Sequence, residues 1–212
     1  MQDYFKNIPE IQFEGENSDN PLAFKFYDEN KTILGKSMKE HFRFATCYWH
    51  TFTWPGLDPF GGQTFERPWM GSGDPIKMAE QKLNCAFDFF TKIKTPFFCF
   101  HDRDIAPEGS NYKETQKNFM HIIDLMENKI EETGMKLLWG TANAFSHKRY
   151  MSGASTNPDP EVFAYKAAQV KDCMDATLRL GGQNYVLWGG REGYETILNT
   201  DMSKEMDNLK RF

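Results

Sequence analysis

Short apolar runs alternate along this chain with longer stretches in which apolar residues recur every three or four positions. Runs of the first kind are typical of strands buried on both faces, and stretches of the second kind are typical of amphipathic helices. The apolar runs occupy residues 44–52, 96–100, 136–140 and 185–188, and a helical stretch follows each of them. The last helical stretch starts near Ser203 and continues to Phe212. The order βαβαβαβα predicts parallel strands joined by helical crossovers.

Local capping signals set the expected helix boundaries. Asp74, which precedes a proline, is expected to begin the first helix and Asn111 the second, because short polar side chains accept hydrogen bonds from the first turn. Gly134 ends the second helix, and the third runs from Asp159 to residues 181–182. The expected inward positions are Ile76, Ala79, Leu83, Ala86 and Phe90 in the first helix and Phe119, Ile122, Ile123, Met126 and Ile130 in the second.

Two α/β folds fit this order of elements, an open doubly wound sheet and a (β/α)8 TIM barrel. No G-x-G-x-x-G sequence follows any predicted strand, which disfavours the dinucleotide-binding form of the doubly wound sheet. Polar and aromatic residues follow the predicted strands, as in barrels, whose active sites assemble at the C-terminal ends of strands. These residues are Trp49, His50, His101, Asp104, Asn143, Phe145, Arg191 and Glu192. We therefore expect the barrel.

The expected organisation is an N-terminal extension over residues 1–43 and the first half of a TIM barrel over residues 44–212. A complete barrel has eight βα units and about 250 residues. Only about four units are predicted here, and they account for the chain to its last residue. The pattern therefore predicts a truncated barrel.

Composition narrows the functional class. A net charge of −5 without a basic stretch argues against a nucleic-acid partner. No apolar run approaches the roughly 20 residues of a membrane span, and no secretory signal begins the sequence. The four cysteines, at positions 47, 85, 99 and 173, fit neither a zinc motif nor a disulfide scaffold. We expect buried free thiols, and with them a cytoplasmic protein.

His101 and Asp104 directly follow a run that is otherwise apolar, and they are the candidate catalytic pair. A carboxylate bonded to one imidazole nitrogen fixes the tautomer and makes the other nitrogen a better base. That arrangement suits general acid–base chemistry on a hydroxyl group. The structural alternative is an aspartate that caps a helix beside a histidine at the start of a loop.

Two further segments allow both a functional and a structural interpretation. Arg191 and Glu192 follow a pair of glycines that permit close approach to a ligand, but they also fit a simple salt bridge. Trp49, Trp54 and Phe60 lie in or beside a Gly/Pro-rich segment, where aromatic rings stack on a ligand, contact a subunit or pack within the loop.

Taken together, these segments resemble the N-terminal half of the xylose isomerases of the longer-chain type. The similarity runs over essentially the whole sequence, and the combination of segments is highly specific. The segments are "NPLAF" at 20–24, "DPFGG" at 58–62, "FHDRDIAPEG" at 100–109, "WGTANAF" at 139–145, "TNPDPEVFAYKAAQV" at 156–170 and "YVLWGGREGYETILNTD" at 185–201.

The resemblance implies an aldose–ketose isomerase that interconverts D-xylose and D-xylulose, and D-glucose and D-fructose less well. His101 would accept the ring-opening proton, and Asp104 would orient it. The substrate-binding residues would be Trp49, Phe145 and Trp188 along the sugar pocket, Thr141 near His101, and Phe60 in the pocket of a neighbouring subunit. A homo-oligomer, expected to be a tetramer, follows from that last role.

The resemblance also implies two divalent cations, Mg²⁺, Mn²⁺ or Co²⁺, that polarise the sugar oxygens while a hydride moves between C1 and C2. In this family the metal ligands and a catalytic lysine come from later strands, in a Glu-Pro-Lys-Pro-type segment and beyond. Residues 1–212 contain no such segment. We therefore expect no metal ligands in this chain and no activity from it alone.

Two other hypotheses remain open. One is a different sugar isomerase or epimerase on a related barrel, against which the set His101, Thr141, Phe145 and Trp188 argues. The other is a non-catalytic half-barrel that serves in assembly or regulation, which the absence of a recognisable metal-binding segment favours for this chain alone.

Overall fold

A small hairpin and a short helix lie in the first part of the chain. The computed structural model describes residues 4–71, 73–193, 196, 198 and 200–212. Strands β1 (Thr32–Ile33) and β2 (Lys36–Ser37) pair antiparallel. They are joined at Leu34 and Gly35, whose positive φ angles of 50° and 80° give the tight turn. Helix α1 (Met38–His41) follows.

A four-stranded parallel sheet organises the rest of the chain. Its strands are β3 (Ala45–Cys47), β4 (Phe97–His101), β5 (Lys136–Thr141) and β6 (Asn184–Tyr185). They are hydrogen-bonded in the order in which they occur in the chain, β3-β4-β5-β6. A doubly wound sheet reverses its strand order at a switch point, and these four strands contain no such reversal.

Helices connect the strands as the alternating pattern predicts. The long ones are α2 (Pro75–Ile93), α4 (Tyr112–Thr133) and α5 (Pro160–Arg179), and α6 (Met202–Arg211) follows the last strand. Shorter elements are a π-helical turn (Trp49–Thr53), α3 (Asp102–Ile105) and a 3-10 turn (Lys148–Tyr150). None of the helices within the described residues is long and apolar enough to cross a membrane.

The capping predictions are confirmed. Asp74 and Asn111 accept hydrogen bonds from the first turns of α2 and α4, at 2.9 Å from Ile76 N and 3.0 Å from Glu114 N. Gly134 ends α4 with φ of 71°, a left-handed conformation that glycine adopts without strain.

Two predicted strands are shorter than the sequence suggests. The first ends at Cys47 rather than at residue 52, because the chain turns into a π-helical turn there. This turn brings Tyr48 and Phe52 together in the core, each 1% exposed, with ring centroids 5.5 Å apart. The fourth strand ends at Tyr185 rather than at residue 188, and Leu187 beyond it is 66% exposed.

The two faces of the sheet have different surroundings. Phe98, Phe100 and Leu137 belong to the main core, where they pack with buried residues of α2, α4 and α5. His101, three positions beyond Phe98, lies on the opposite face, because successive side chains of a strand alternate. The candidate site therefore lies on the face of the sheet opposite the one that packs against α2, α4 and α5.

Candidate active site

His101 and Asp104 form a buried pair at the C-terminal end of β4. His101 Nδ1 lies 2.7 Å from Asp104 Oδ2, and the same oxygen accepts a 3.1 Å bond from the backbone N–H of His101. The two residues are 8% and 5% exposed. The carboxylate thus caps the start of the short helix Asp102–Ile105 and also holds the imidazole, a geometry with which the catalytic and the structural interpretation are both compatible. With a proton on Nδ1 shared with the carboxylate, Nε2 is the basic nitrogen.

Aromatic rings surround this imidazole. The ring centroid of His101 lies 4.6 Å from that of Trp49 and 5.2 Å from that of Phe145. Trp188 packs edge-on against Phe145 at 4.5 Å, and it is 51% exposed. With Thr141, which pairs with His101 across β4 and β5, the structure brings together six of the seven residues expected at the site, from four successive segments of the chain. We call the rings of Trp49, Phe145 and Trp188 the aromatic wall. The imidazole of His101 lies against this wall, and the half-exposed Trp188 lies at its solvent-facing rim.

Trp139 is a further ring beside this wall, and the sequence pattern did not identify it. Its ring centroid lies 5.4 Å from that of Trp49 and 6.5 Å from that of His101. The register between β4 and β5 shifts at this point, so that Phe98 pairs with Leu137 but Cys99 pairs with Trp139. Such a bulge re-aims the side chains beyond it. It turns Trp139 to the face of His101, whereas strict alternation from Leu137 would have turned it into the core.

Thr141 lies beside His101, as expected, because the two residues are register partners on β4 and β5. Its side chain is nevertheless engaged within the protein. Thr141 is 1% exposed, and its hydroxyl group donates to the carbonyl oxygen of Val186. The hydroxyl therefore links β5 to the segment that leads towards Trp188.

Phe60 lies apart from this cluster in the loop between β3 and α2. Its side chain is 97% exposed. Asp58 holds the local turn by accepting a 2.7 Å bond from the backbone N–H of Phe60. Trp54, in the same loop, packs edge-on against Phe65 at 5.5 Å, which fits the loop-packing interpretation of that residue.

The salt bridge between Arg191 and Glu192 that one of the two interpretations allowed is not formed. Glu192 pairs with Lys166 of α5 instead, and Arg191 donates from Nε to the carbonyl oxygen of Phe145 at 3.3 Å. Neighbouring residues in a turn project their side chains in different directions. The partner of Glu192 lies 26 positions away in the chain, and adjacency in sequence could not indicate it.

Asp102 is a second buried carboxylate beside His101, and it connects β4 to the segment that carries Phe145. Its Oδ1 accepts a 2.8 Å bond from the backbone N–H of Asn143, and its Oδ2 accepts a 2.7 Å bond from Gln169 Nε2. Burial raises the pKa of Asp102, although Arg103 and these hydrogen bonds act in the opposite direction. The carboxylate of Asp102 thus holds the start of the loop after β5, although its burial disfavours the ionised form.

We expect Asp102→Ala to destabilise the protein by about 2–3 kcal/mol, because the buried backbone N–H of Asn143 loses its acceptor and Gln169 Nε2 keeps only its 3.1 Å bond to the carbonyl oxygen of Asn143. Asp102→Asn should cost less, about 1 kcal/mol, since the amide keeps an oxygen for Asn143. The raised pKa means that ionisation of Asp102 lowers stability as the pH rises above the ordinary carboxyl range, and the amide avoids this loss. Urea denaturation of both variants measures the difference, and equal losses would contradict this assignment.

Among the residues that the structure describes, no group of three or more His, Cys, Asp or Glu side chains could hold a metal ion. The buried acids near His101 are already engaged, since Asp104 bonds the imidazole and Asp102 bonds Asn143 and Gln169. The described part of this chain therefore does not fit a two-cation site.

No family model matches the chain, but individual proteins are similar to it over its whole length. A xylose isomerase from Photobacterium profundum is 63% identical over 211 residues, which are 100% of this chain and 48% of that protein. Xylose isomerases from Paraburkholderia phytofirmans (60% over 209 residues) and Rhizobium etli (59% over 209 residues) each match 99% of this chain. The chain spans about half the length of the curated relatives it matches.

Proposed function

This chain is homologous over its whole length to xylose isomerases, of which it spans about half, and from that premise we propose that it carries the sugar-binding and ring-opening part of such an enzyme. The sequential parallel sheet supports the first half of a (β/α)8 barrel over residues 44–212, preceded by an extension over residues 1–43. The observation that carries the proposal is the 2.7 Å contact between His101 Nδ1 and Asp104 within an aromatic wall.

His101 is the proposed base for ring opening. Its Nε2 accepts the proton of the anomeric hydroxyl group, the bond between C1 and the ring oxygen breaks, and the imidazolium then gives this proton to the former ring oxygen. Asp104 stabilises the imidazolium that forms and keeps the ring in position, as a carboxylate does for a catalytic histidine. The products of this step are the open-chain aldose and the regenerated base.

Trp49, Phe145 and Trp188 are the proposed walls of the sugar pocket. Aromatic faces pack on the C–H surface of a sugar ring, while the hydroxyl groups remain free to meet polar partners. Excluding water also strengthens the hydrogen bond between His101 and its substrate. Thr141 contributes by holding the neighbouring strand segment, since its hydroxyl donates to a backbone carbonyl.

We assign no step of the reaction to a cation held by this chain, because its described residues do not fit such a site. The two divalent cations, Mg²⁺, Mn²⁺ or Co²⁺, and the hydride shift between C1 and C2 belong in this proposal to the part of a xylose isomerase that the chain does not match. We place the enzyme in the cytoplasm, because all four cysteines are free.

The test of this function uses the complemented enzyme, which is this chain co-expressed with the part of the Photobacterium profundum relative that it does not match. Interconversion of D-xylose and D-xylulose should appear on co-expression and should depend on a divalent cation. A complemented enzyme that assembles but turns over neither D-xylose nor D-glucose would contradict the proposal.

Phe60 is proposed to reach the pocket of a neighbouring subunit in a symmetric homo-oligomer, expected to be a tetramer. Its 97% exposure leaves the ring available for that contact. In the complemented enzyme, Phe60→Ser should raise the KM for D-xylose about tenfold through loss of apolar contact. Leu34→Ser, an equally exposed apolar position in the β1–β2 turn, is the control. Size-exclusion chromatography with light scattering measures the assembly, and a fully active monomer would refute this role.

A further inference from the structure

Three successive backbone N–H groups, those of residues 154–156, point at the carboxylate of Glu192. Their nitrogens lie 3.1, 2.8 and 2.9 Å from its oxygens. The hydroxyl groups of Ser155 and Thr156 donate to the same carboxylate at 2.6 and 2.7 Å. Consecutive N–H groups that converge in this way form an anion-binding nest. The protein therefore builds an anion site beside the pocket and fills it with its own side chain.

Lys166 completes the nest from the side of α5. Its ammonium group pairs with Glu192, and the two side chains are 7% and 14% exposed. Lys166 also donates to Ser155 Oγ at 3.2 Å. Burial acts to raise the pKa of Glu192, but the hydrogen bonds from Lys166, Ser155 and Thr156 outweigh it and hold the pKa well below its usual range. The carboxylate of Glu192 is thus ionised, and each of its two oxygens accepts several hydrogen bonds.

The position of Glu192 fixes the turn that follows Trp188. The backbone N–H of Glu192 donates to the carbonyl oxygen of Gly189 at 3.1 Å and closes a turn over residues 189–192. Arg191, within that turn, donates to the carbonyl oxygen of Phe145 at 3.3 Å. Trp188 itself packs at 4.5 Å on Phe145. A carboxylate held in the nest therefore restrains both the ring of Trp188 and its contact with Phe145.

This restraint matters because strand pairing ends early here. Strand β6 stops at Tyr185, and Val186 makes a long 3.3 Å bond to the carbonyl oxygen of Gly140. Leu187 and Trp188 are then 66% and 51% exposed. Strand hydrogen bonds do not hold the backbone at Trp188, so another interaction must restrain this half-exposed side chain. The bound carboxylate of Glu192, four residues later in the chain, restrains it.

We propose that Glu192 is a positioning residue, whose carboxylate in the nest of residues 154–156 sets the place of Trp188 at the rim of the aromatic wall. The positioning itself is independent of what the pocket binds. Its consequence for sugar binding rests on the proposed function.

The first experiment removes the carboxylate from the nest in the 212-residue chain. Glu192→Ala should leave far-UV circular dichroism unchanged and raise the acrylamide quenching constant of tryptophan fluorescence about twofold, because Trp188 loses its anchor. The increase should disappear in a Trp188→Phe background. Glu131→Ala, which removes an exposed carboxylate of α4, is the matched control and should change nothing.

Chemical rescue separates an anion nest from a general loss of packing. Acetate at high concentration should enter the vacated nest of Glu192→Ala and return quenching to the value of the unaltered protein, since it restores the carboxylate without the tether. Potassium chloride at equal ionic strength should not. A folded Glu192→Ala variant with native quenching of Trp188, or with no response to acetate, would overturn the proposal.

A second variant covers the case in which Glu192→Ala does not fold, because it leaves the buried charge of Lys166 unpaired. Lys166→Met/Glu192→Ala removes both charges and still empties the nest. It should fold and show the same increase in quenching of Trp188. Native quenching in this folded double variant would also overturn the proposal.

Steady-state kinetics with D-xylose test whether the position of Trp188 affects sugar binding. In the complemented enzyme, Glu192→Ala should raise the KM for D-xylose about tenfold while kcat changes less than about threefold, and acetate should reverse the effect, because a misplaced wall weakens binding throughout the reaction. If quenching and its rescue behave as expected but KM does not move, positioning by Glu192 stands and the proposed role of Trp188 as a sugar wall is wrong.

Discussion

His101→Asn in the complemented enzyme is expected to lower turnover of cyclic D-xylose by about a hundredfold or more, the range that a general base contributes. Asparagine fills a similar volume and can still meet Asp104, but it has no nitrogen that accepts a proton at neutral pH. The loss should be confined to ring opening, because the hydride shift acts on the open-chain sugar. Supplying the open-chain form should therefore recover part of the rate.

The comparison of the two sugar forms decides the role of His101. Turnover is measured immediately after release of open-chain aldose and again after the sugar has cyclised. Asp104→Asn is the matched variant, and it should lower the rate less, because it removes the charge while a hydrogen bond to His101 Nδ1 remains possible. An equal loss for both sugar forms would mean that His101 does not act in ring opening.

The 212-residue chain by itself is expected to show no isomerase activity. The hydride shift requires stabilisation of charge on the sugar oxygens, which metal ions supply to the extent of several kcal/mol. The described residues contain no group of side chains that could hold such ions. Calorimetric titration of the purified chain with Mg²⁺ or Mn²⁺ should accordingly show weak binding or none, alongside a negative D-xylulose assay.

The same chain is expected to associate with itself. Met202, Met206 and Leu209 along α6 are between 43% and 52% exposed, and the strands β3 and β6 lie at the ends of the described sheet order. Exposed apolar helix faces and unpaired strand edges promote association. Co-expression with the matching half should convert this material into an active complex. Tight binding of two cations, or turnover by the purified chain, would refute the prediction and would indicate ligands within residues 1–212.

The elements whose signals are local could be predicted from the sequence. Asp74, Asn111 and Gly134 mark helix ends through interactions within one turn, and the structure places those ends where the sequence does. The alternation of apolar runs and periodic stretches likewise fixed the order of strands and helices. His101 and Asp104 were recognisable because a polar pair three residues apart interrupts an apolar run, and such a pair can meet over one turn of chain.

Features that depend on tertiary packing could not be predicted from local sequence signals. The first strand was expected to reach residue 52, since aromatic and β-branched residues favour strands. It ends at Cys47, where the chain enters a π-helical turn that brings the ring centroids of Tyr48 and Phe52 to 5.5 Å in the core. In a strand these two residues would also share a face, but they would lie about 13 Å apart. At these residues the packing of the core outweighs the strand propensity of aromatic and β-branched side chains.

The sequence by itself determined that this protein alternates strands with helices and ends one strand in a histidine and a carboxylate, because helix caps, periodicity and short polar spacings act within a few residues. The tertiary structure decided how side chains that are distant in the sequence pack around that histidine, and it added Trp139 to those that the resemblance implied. The bulge that turns Trp139 towards His101 arises from the register of β5 against β4. The nest that holds Glu192 joins residues more than 30 positions apart, and only the packing of the folded chain brings such groups within hydrogen-bonding distance.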